Sequence, residues 1–188
     1  MGPESLPTDD DLMVRAAQGE EAAYRLLVER WQGPVFGFLE RMMRSREEAL
    51  DLGQETFLRV YAQTKRYRPE GRFPSWLFRI AGNLARSALR RRRVVRWLRF
   101  DPALHDHAVP GDPMDRRRER AEARRTIRDA LARLPDRQRQ VVLLRRYQGL
   151  TYRQIAEAMG TTVPAIESLL QRAIASLRRD LAREGVEP

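Results

Sequence analysis

The residues best placed for chemistry in this chain are cations, amides and hydroxyls in helical register, and what they suit is phosphate and base edges. Residues 86–99 hold seven arginines and no acid. A block of permanent charge like this can neutralise a row of phosphates, with an affinity that falls as salt rises. Arg86, Arg90, Arg91 and Arg93 are its candidate contacts; residues 90–93 are all arginine and circle a helix, so they cannot all face one strand. A second grouping lies between Leu150 and Arg179. Counting from Ala156, Gly160 falls four positions on, Ile166 ten on and Leu169 thirteen on. That spacing fits two helices crossing at a small residue, a turn that tolerates positive φ, and an apolar inner face on the second helix, the pattern of a DNA-reading helix-turn-helix. Pro164 suits the first turn of the second helix, where its missing N–H goes unused. An ordinary helical hairpin shares the apolar period.

Other chemistries find little support. His105-Asp106-His107 sets two imidazoles at i, i+2 among prolines, without the third ligand and rigid surroundings of a metal site. There is no cysteine, hence no thiolate site or disulfide framework. Neither a Gly-rich phosphate loop nor an activated nucleophile is evident. The chain is therefore expected to bind no cofactor or metal and to catalyse nothing by itself. No apolar run is long enough to cross a bilayer, and the acidic start does not resemble a signal peptide. A cytoplasmic location without direct membrane contact is the expectation.

The charge distribution divides the chain. Formal net charge is +10, and Lys65 is the single lysine. Residues 1–85 carry net −1, residues 86–99 +7, residues 100–122 −2 and residues 123–188 +6. A near-neutral part ending in an arginine block, then a mildly acidic stretch, then a basic part suggests two nucleic-acid contacts on one tether.

The elements that must position these groups read as helices throughout. Leu12, Ala16, Ala23, Leu26, Leu27 and Trp31 mark a first amphipathic stretch, expected to break near Gly33-Pro34; Val35, Phe36, Leu39, Met42 and Met43 continue a second face. A third face carries Ala49, Leu52, Thr56, Phe57, Val60 and Tyr61. Pro74 and Ser75 signal the start of a further helix through Trp76, Leu77, Ile80 and Leu84. Periodicity fails from about Phe100 to Asp115, then resumes to Leu134 and again after Pro135-Asp136. No sustained β alternation is present. The expected class is all-α, with two small helical domains, residues 9–97 and 123–183, joined by a flexible linker over 98–122.

Three further blocks accompany the helix-turn-helix in order: Asp51-x-x-Gln54-Glu55-x-Phe57-x-x-x-Tyr61; Phe73-x-x-Trp76-Leu77-x-x-Ile80-Ala81-x-Asn83-x-Ala85; and Leu134-Pro135-x-Arg137-Gln138-Arg139-x-Val141. Asp51, Gln54 and Glu55 share one helix face, with Phe57 and Tyr61 forming a separate i, i+4 pair for the core. Together the blocks resemble bacterial sigma factors of the extracytoplasmic-function (ECF) class of the sigma-70 family, from about Asp9 to Arg183. The resemblance implies a region 2 that binds core RNA polymerase and opens the minus-ten promoter element, and a region 4 that reads the minus-thirty-five element. It also implies that an anti-sigma protein holds the factor inactive.

By position, the resemblance assigns Asp51, Gln54 and Glu55 to the polymerase-binding face. It makes Tyr67 to Phe73, with Tyr67, Arg68, Arg72 and Phe73 as contacts, the loop that captures a flipped base, and sets Asn83 beside it facing DNA. A polar, glycine-containing loop flanked by aromatics suits such a pocket, while Trp76 reads as a core or rim residue. Glu167, Ser168, Gln171 and Arg172 fall on the reading face of the second hairpin helix, where arginine pairs with guanine or phosphate and glutamine with adenine. Thr151, Arg153 and Gln154 are the expected phosphate contacts. The chain departs from the family's common pattern at Ser87, Glu167 and Leu169. The rival readings are a conventional activator that binds duplex DNA by itself, and an enzyme built on the histidine pair.

Overall fold

In the computed structural model, residues 6–99 and 125–184 are described, with backbone alone over 95–99. The His105-Asp106-His107 group and most of the expected linker lie outside the described residues. All regular structure among the described residues is helical: α1 (Asp9–Ala17), α2 (Glu21–Met43), α3 (Arg46–Ala62), a short 3-10 turn (Thr64–Arg66), α4 (Phe73–Arg99), α5 (residues 125–133), α6 (Asp136–Arg146), α7 (Tyr152–Met159) and α8 (Val163–Arg183).

Local signals set these boundaries. Thr8 caps α1 reciprocally with Asp11: its hydroxyl accepts from the Asp11 N–H while the Asp11 carboxylate accepts from the Thr8 N–H. Two free N–H groups of the first turn are satisfied at once, and Asp9, Asp10 and Asp11 complement the positive helix end. The first break falls at Gly19, which takes φ 93°, and not at Gly33-Pro34 as expected. Helix α2 continues through Pro34, although proline removes a backbone donor and crowds the previous turn. Val35, Phe38, Leu39, Met42 and Met43 are all buried beyond it; at roughly 1.5–3 kcal/mol for each large apolar side chain, that outweighs the local cost. Arg44 closes α2 in the left-handed region (φ 61°), and Ser45 caps α3 by accepting from the Glu48 N–H.

Around α2, helices α1, α3 and α4 bury Leu12, Met13, Leu27, Phe38, Phe73, Leu77 and Phe78. Trp31 meets Phe73 and Phe78 with ring centroids 5.9 and 6.0 Å away. Two expected core members face outward: Leu26 and Tyr61 are 46% and 53% exposed. Tyr61 falls at the rim because Tyr24 fills the position beneath it, edge-on at 5.0 Å, with its hydroxyl donating to the Phe57 carbonyl.

In the second unit, α6, α7 and α8 enclose Val141, Leu143, Leu144, Ile155, Ala156, Ile166 and Ala173. The two expected units are both present, and they pack on one another: α7 lies along α4, α6 meets α2, and the buried apolar residues form one continuous cluster.

Candidate nucleic-acid interface

The loop between the 3-10 turn and α4 is held by a residue distant in sequence, on the neighbouring helix α1. Asp10, in the first turn of α1, accepts from the Tyr67 hydroxyl with Oδ1 and from the Gly71 N–H with Oδ2, both at 2.6 Å. Gly71 takes φ 70°, which a side chain would strain. Burial pushes the Tyr67 hydroxyl well above the ordinary phenol range, reinforced by its bond to Asp10. Arg68 is exposed, and the Tyr67 ring packs on Trp76 at 5.0 Å. Phe73 departs from expectation: it is 1% exposed and wedged among Trp31, Tyr67 and Trp76. As the first residue of α4 it points inward, so no base can stack on it in this arrangement. Trp76 is half-buried, at the rim.

Along α4 the candidate cations fall on different faces. Arg90 and Arg91 are exposed, Arg90 reaching the Ser87 hydroxyl at 3.3 Å. Arg92 turns toward α3, 3.8 Å from Glu48. Arg86 is half-buried, donating to the Asn83 side-chain oxygen and to that of Gln140 on α6; burial pushes its pKa down, with Arg137 and Arg90 adding repulsion. Arg93 is paired with Asp136, also on α6, and Arg72 lies 4.0 Å from Glu157 on α7. Three of the expected DNA contacts therefore face polar groups of the second unit. The contact is close: a Cβ built on Gly82 would sit 2.3 Å from the Gln140 side-chain nitrogen.

The helix-turn-helix is formed by α7 and α8. Gly160 takes φ 60° between them and closes α7. Thr162 caps α8 by accepting from the Ala165 N–H, with Pro164 in the first turn. Ile166 is fully buried at their crossing, and Glu167, Ser168, Gln171 and Arg172 form an exposed row on α8. The Arg172 guanidinium donates back to the Ser168 carbonyl at 3.2 Å, which holds its charge over this row. Thr151 and Gln154 are engaged with one another in the capping box of α7, and Arg153 extends into solvent with Glu157 3.7 Å away. The same cap that starts the helix thus occupies two of the three expected phosphate contacts.

In the first unit, Asp51 and Gln54 are exposed on α3 and Glu55 is half-buried, bonded at 2.7 Å to Arg59. Leu58, 65% exposed, continues their face one turn on. A polar row around an uncovered leucine suits a protein partner better than solvent. The sequence motifs do not single out Leu58, nor Asp10, Asp136 and Gln140 as site residues. Their partners are distant in sequence, and no local spacing announces such pairs. No helix among the described residues is long and apolar enough to cross a membrane.

This all-helical pair of units, with a basic strip on one and a helix-turn-helix on the other, defines a DNA-binding protein of transcription. The comparisons narrow the class. The Sigma-70 region 2 family model matches residues 27–95, and that of Sigma-70, region 4, matches residues 124–177. The ECF RNA polymerase sigma-E factor of Haemophilus influenzae is 32% identical over 96% of this chain and 96% of its own length. The RNA polymerase sigma factor CarQ of Myxococcus xanthus is 35% identical over 93% of this chain and 98% of its own. Among solved structures, CnrH in complex with the cytosolic domain of CnrY matches with TM-score 0.72 and 24% identity, over 93% of this chain and 97% of that one. The sigma factor RpoE of Bartonella quintana, in complex with the anti-sigma factor NepR, matches with TM-score 0.68 and 22% identity, over 85% and 96%. The chain belongs to the ECF class of the sigma-70 family. It is a sigma factor, and directs promoter-specific transcription initiation by RNA polymerase.

Proposed function

We propose that the work of promoter recognition divides between the two units, residues 9–97 and 123–183, with 98–122 as the connection. Asp51, Gln54 and Glu55 dock on core RNA polymerase, and Leu58 adds apolar contact. Tyr67, Arg68 and Arg72 shape the pocket for a base flipped from the minus-ten element, with Asn83 beside it. Arg86, Arg90, Arg91 and Arg93 neutralise phosphates of the melted strand. Glu167, Ser168, Gln171 and Arg172 read the minus-thirty-five duplex, with Arg153 setting the register on its backbone. Each contact is weak alone, and tethering makes the pair tight. Strand opening is driven by capture of unstacked bases, with no chemical step and no cofactor. The factor acts in the cytoplasm.

The observation that carries this reading is the presence, on one chain, of the exposed row on α8 and of a glycine-containing loop leading into an arginine-lined helix. A duplex-binding activator has no use for the second. Because Arg86 and Arg93 engage Gln140 and Asp136, promoter binding requires the units to part. An anti-sigma protein that favours the joined arrangement would hold the factor inactive; the structural relative RpoE was solved in complex with the anti-sigma factor NepR. The test is binding of reconstituted holoenzyme to two promoter fragments, one with only the upstream duplex element and one with a single-stranded minus-ten segment. Arg172→Ala should weaken the first and Arg68→Ala with Asn83→Ala the second. Equal losses on both would overturn the division.

A further inference from the structure

Asp10 stands outside every contact proposed above, yet it makes two long-range hydrogen bonds of 2.6 Å, one with each carboxylate oxygen. Its carboxylate spans the loop it faces: one oxygen takes the Tyr67 hydroxyl where the loop leaves the 3-10 turn, the other the Gly71 N–H just before α4 begins. Between these points lie Arg68, Pro69 and Glu70, all exposed and without other bonds to the body of the unit among the described residues, Glu70 pairing at 3.6 Å with Arg72. The loop is thus fastened at both ends by one side chain.

Asp10 is itself well fixed. It sits in the first turn of a helix whose cap, Thr8 with Asp11, is complete. Its neighbour Asp9 bonds Arg30 of α2 at 2.6 Å, and Arg30 also donates to the Pro7 carbonyl. The carboxylate therefore points at the loop from a braced position, and a braced acceptor loses little freedom when it bonds. An ionised carboxylate can accept from both donors at full strength; a neutral amide of the same shape offers one oxygen, so one donor loses its partner.

We propose that Asp10 is the positioning residue of the base-capture loop: it fixes the distance between Tyr67 and Gly71, and with it the shape of the pocket that selects the flipped base of the minus-ten element. This rests on the reading of Tyr67 to Phe73 as that loop. Asp10 touches no DNA; it acts through the backbone of Gly71 and the ring of Tyr67. A pocket whose walls shift by a fraction of an ångström still binds a base but discriminates less among the four.

The experiment uses holoenzyme reconstituted from core polymerase and the full chain. It measures affinity for a forked promoter fragment whose unpaired minus-ten segment carries each of the four bases in turn. For Asp10→Asn, the ratio of best to worst base at the position the loop reads should fall on the order of tenfold, the size expected when one charge-assisted bond is lost. Tyr67→Phe, which keeps the ring and removes one of the two bonds, should fall in the same direction by less. Affinity for the upstream duplex fragment should stay unchanged in both. Thr8→Ala is the control, weakening α1 without touching the clamp, and should leave the ratio unaltered. Wild-type selectivity in both Asp10→Asn and Tyr67→Phe would overturn the proposal. So would an equal loss in Thr8→Ala, which would make Asp10 a matter of helix stability alone. If replacing Arg68, Pro69 and Glu70 together with glycines leaves base selection intact, the loop reading itself fails, and the proposal falls with it for that separate reason.

Discussion

The Arg139 guanidinium donates to the Met42 carbonyl at 2.8 Å across 97 residues of sequence, while its other hydrogens reach the carbonyls of Leu131, Ala132 and Leu134. One buried cation thus sits at the C-terminal ends of α5 and α2 together, where carbonyls lack helical partners and the helix dipole favours positive charge. Burial pushes its pKa down, with Asp136 opposing that shift; guanidinium nevertheless stays charged. It ties the second unit internally and also ties it to the first.

Replacing Arg139 by methionine keeps the stem and takes this donor from the Met42, Ala132 and Leu134 carbonyls, while the Leu131 carbonyl keeps the Leu134 N–H. The expected loss of stability is about 3 kcal/mol, read by urea denaturation. It should come with separation of the units, read as a larger radius of gyration. A stable, compact Arg139→Met protein would show that the apolar contacts suffice.

Gly82 offers a gentler way to part the units. A Cβ there would meet the side-chain nitrogen of Gln140, a fully buried residue whose side-chain oxygen accepts from Arg86. Alanine inside α4 improves helix propensity by roughly 1 kcal/mol, so the helix is not harmed. Gly82→Ala should raise affinity for single-stranded minus-ten DNA several-fold, on the order of 1 kcal/mol, by freeing Arg86 and Arg93. Titration of a labelled oligonucleotide checks this, and unchanged affinity would mean that closure does not mask the strip.

Salt dependence separates the arginines. Arg91→Ala, at an exposed position, should reduce the slope of log affinity against log salt by about 1 on every promoter. Arg92→Ala should change it little, since Arg92 faces Glu48. Measurement of holoenzyme binding across a salt series distinguishes the two.

Phe73 was expected from its motif to meet DNA, and its burial gives a different forecast. Phe73→Ala should cost about 3–5 kcal/mol in stability, seen as a large drop in melting temperature, with any loss of binding following from unfolding. The residue types and spacings of the four motifs identified the helices, the helix-turn-helix and the exposed row on α8, because helical periodicity and capping are local. What spacing did not reveal were the relations set by tertiary packing. Proline 34 runs through a helix because its neighbours are buried, Tyr61 is displaced to the rim by Tyr24, and Arg86 is claimed by a residue more than fifty positions away.

Alkaline pH should report on the loop. Burial pushes Tyr24 up to about 12 and Tyr67 higher still. A phenol whose pKa is raised in the folded state stabilises the fold fully below its unfolded pKa of about 10, and that contribution is lost as pH rises through the folded value. Ultraviolet titration should therefore find Tyr24 and Tyr67 resistant to ionisation until the protein unfolds. The fall in melting temperature above about pH 10 should be shallower in Tyr67→Phe. Ionisation of Tyr67 in the ordinary phenol range would contradict its burial against Asp10.

Run-off transcription with purified bacterial core polymerase, with and without this protein, on a promoter library read by sequencing, bears on the whole account at once. New start sites sharing two spaced upstream elements are expected, with Arg172→Ala altering the upstream element and Arg68→Ala the one nearer the start. Initiation insensitive to both variants, or stable binding to duplex DNA without polymerase and no initiation at all, would contradict it.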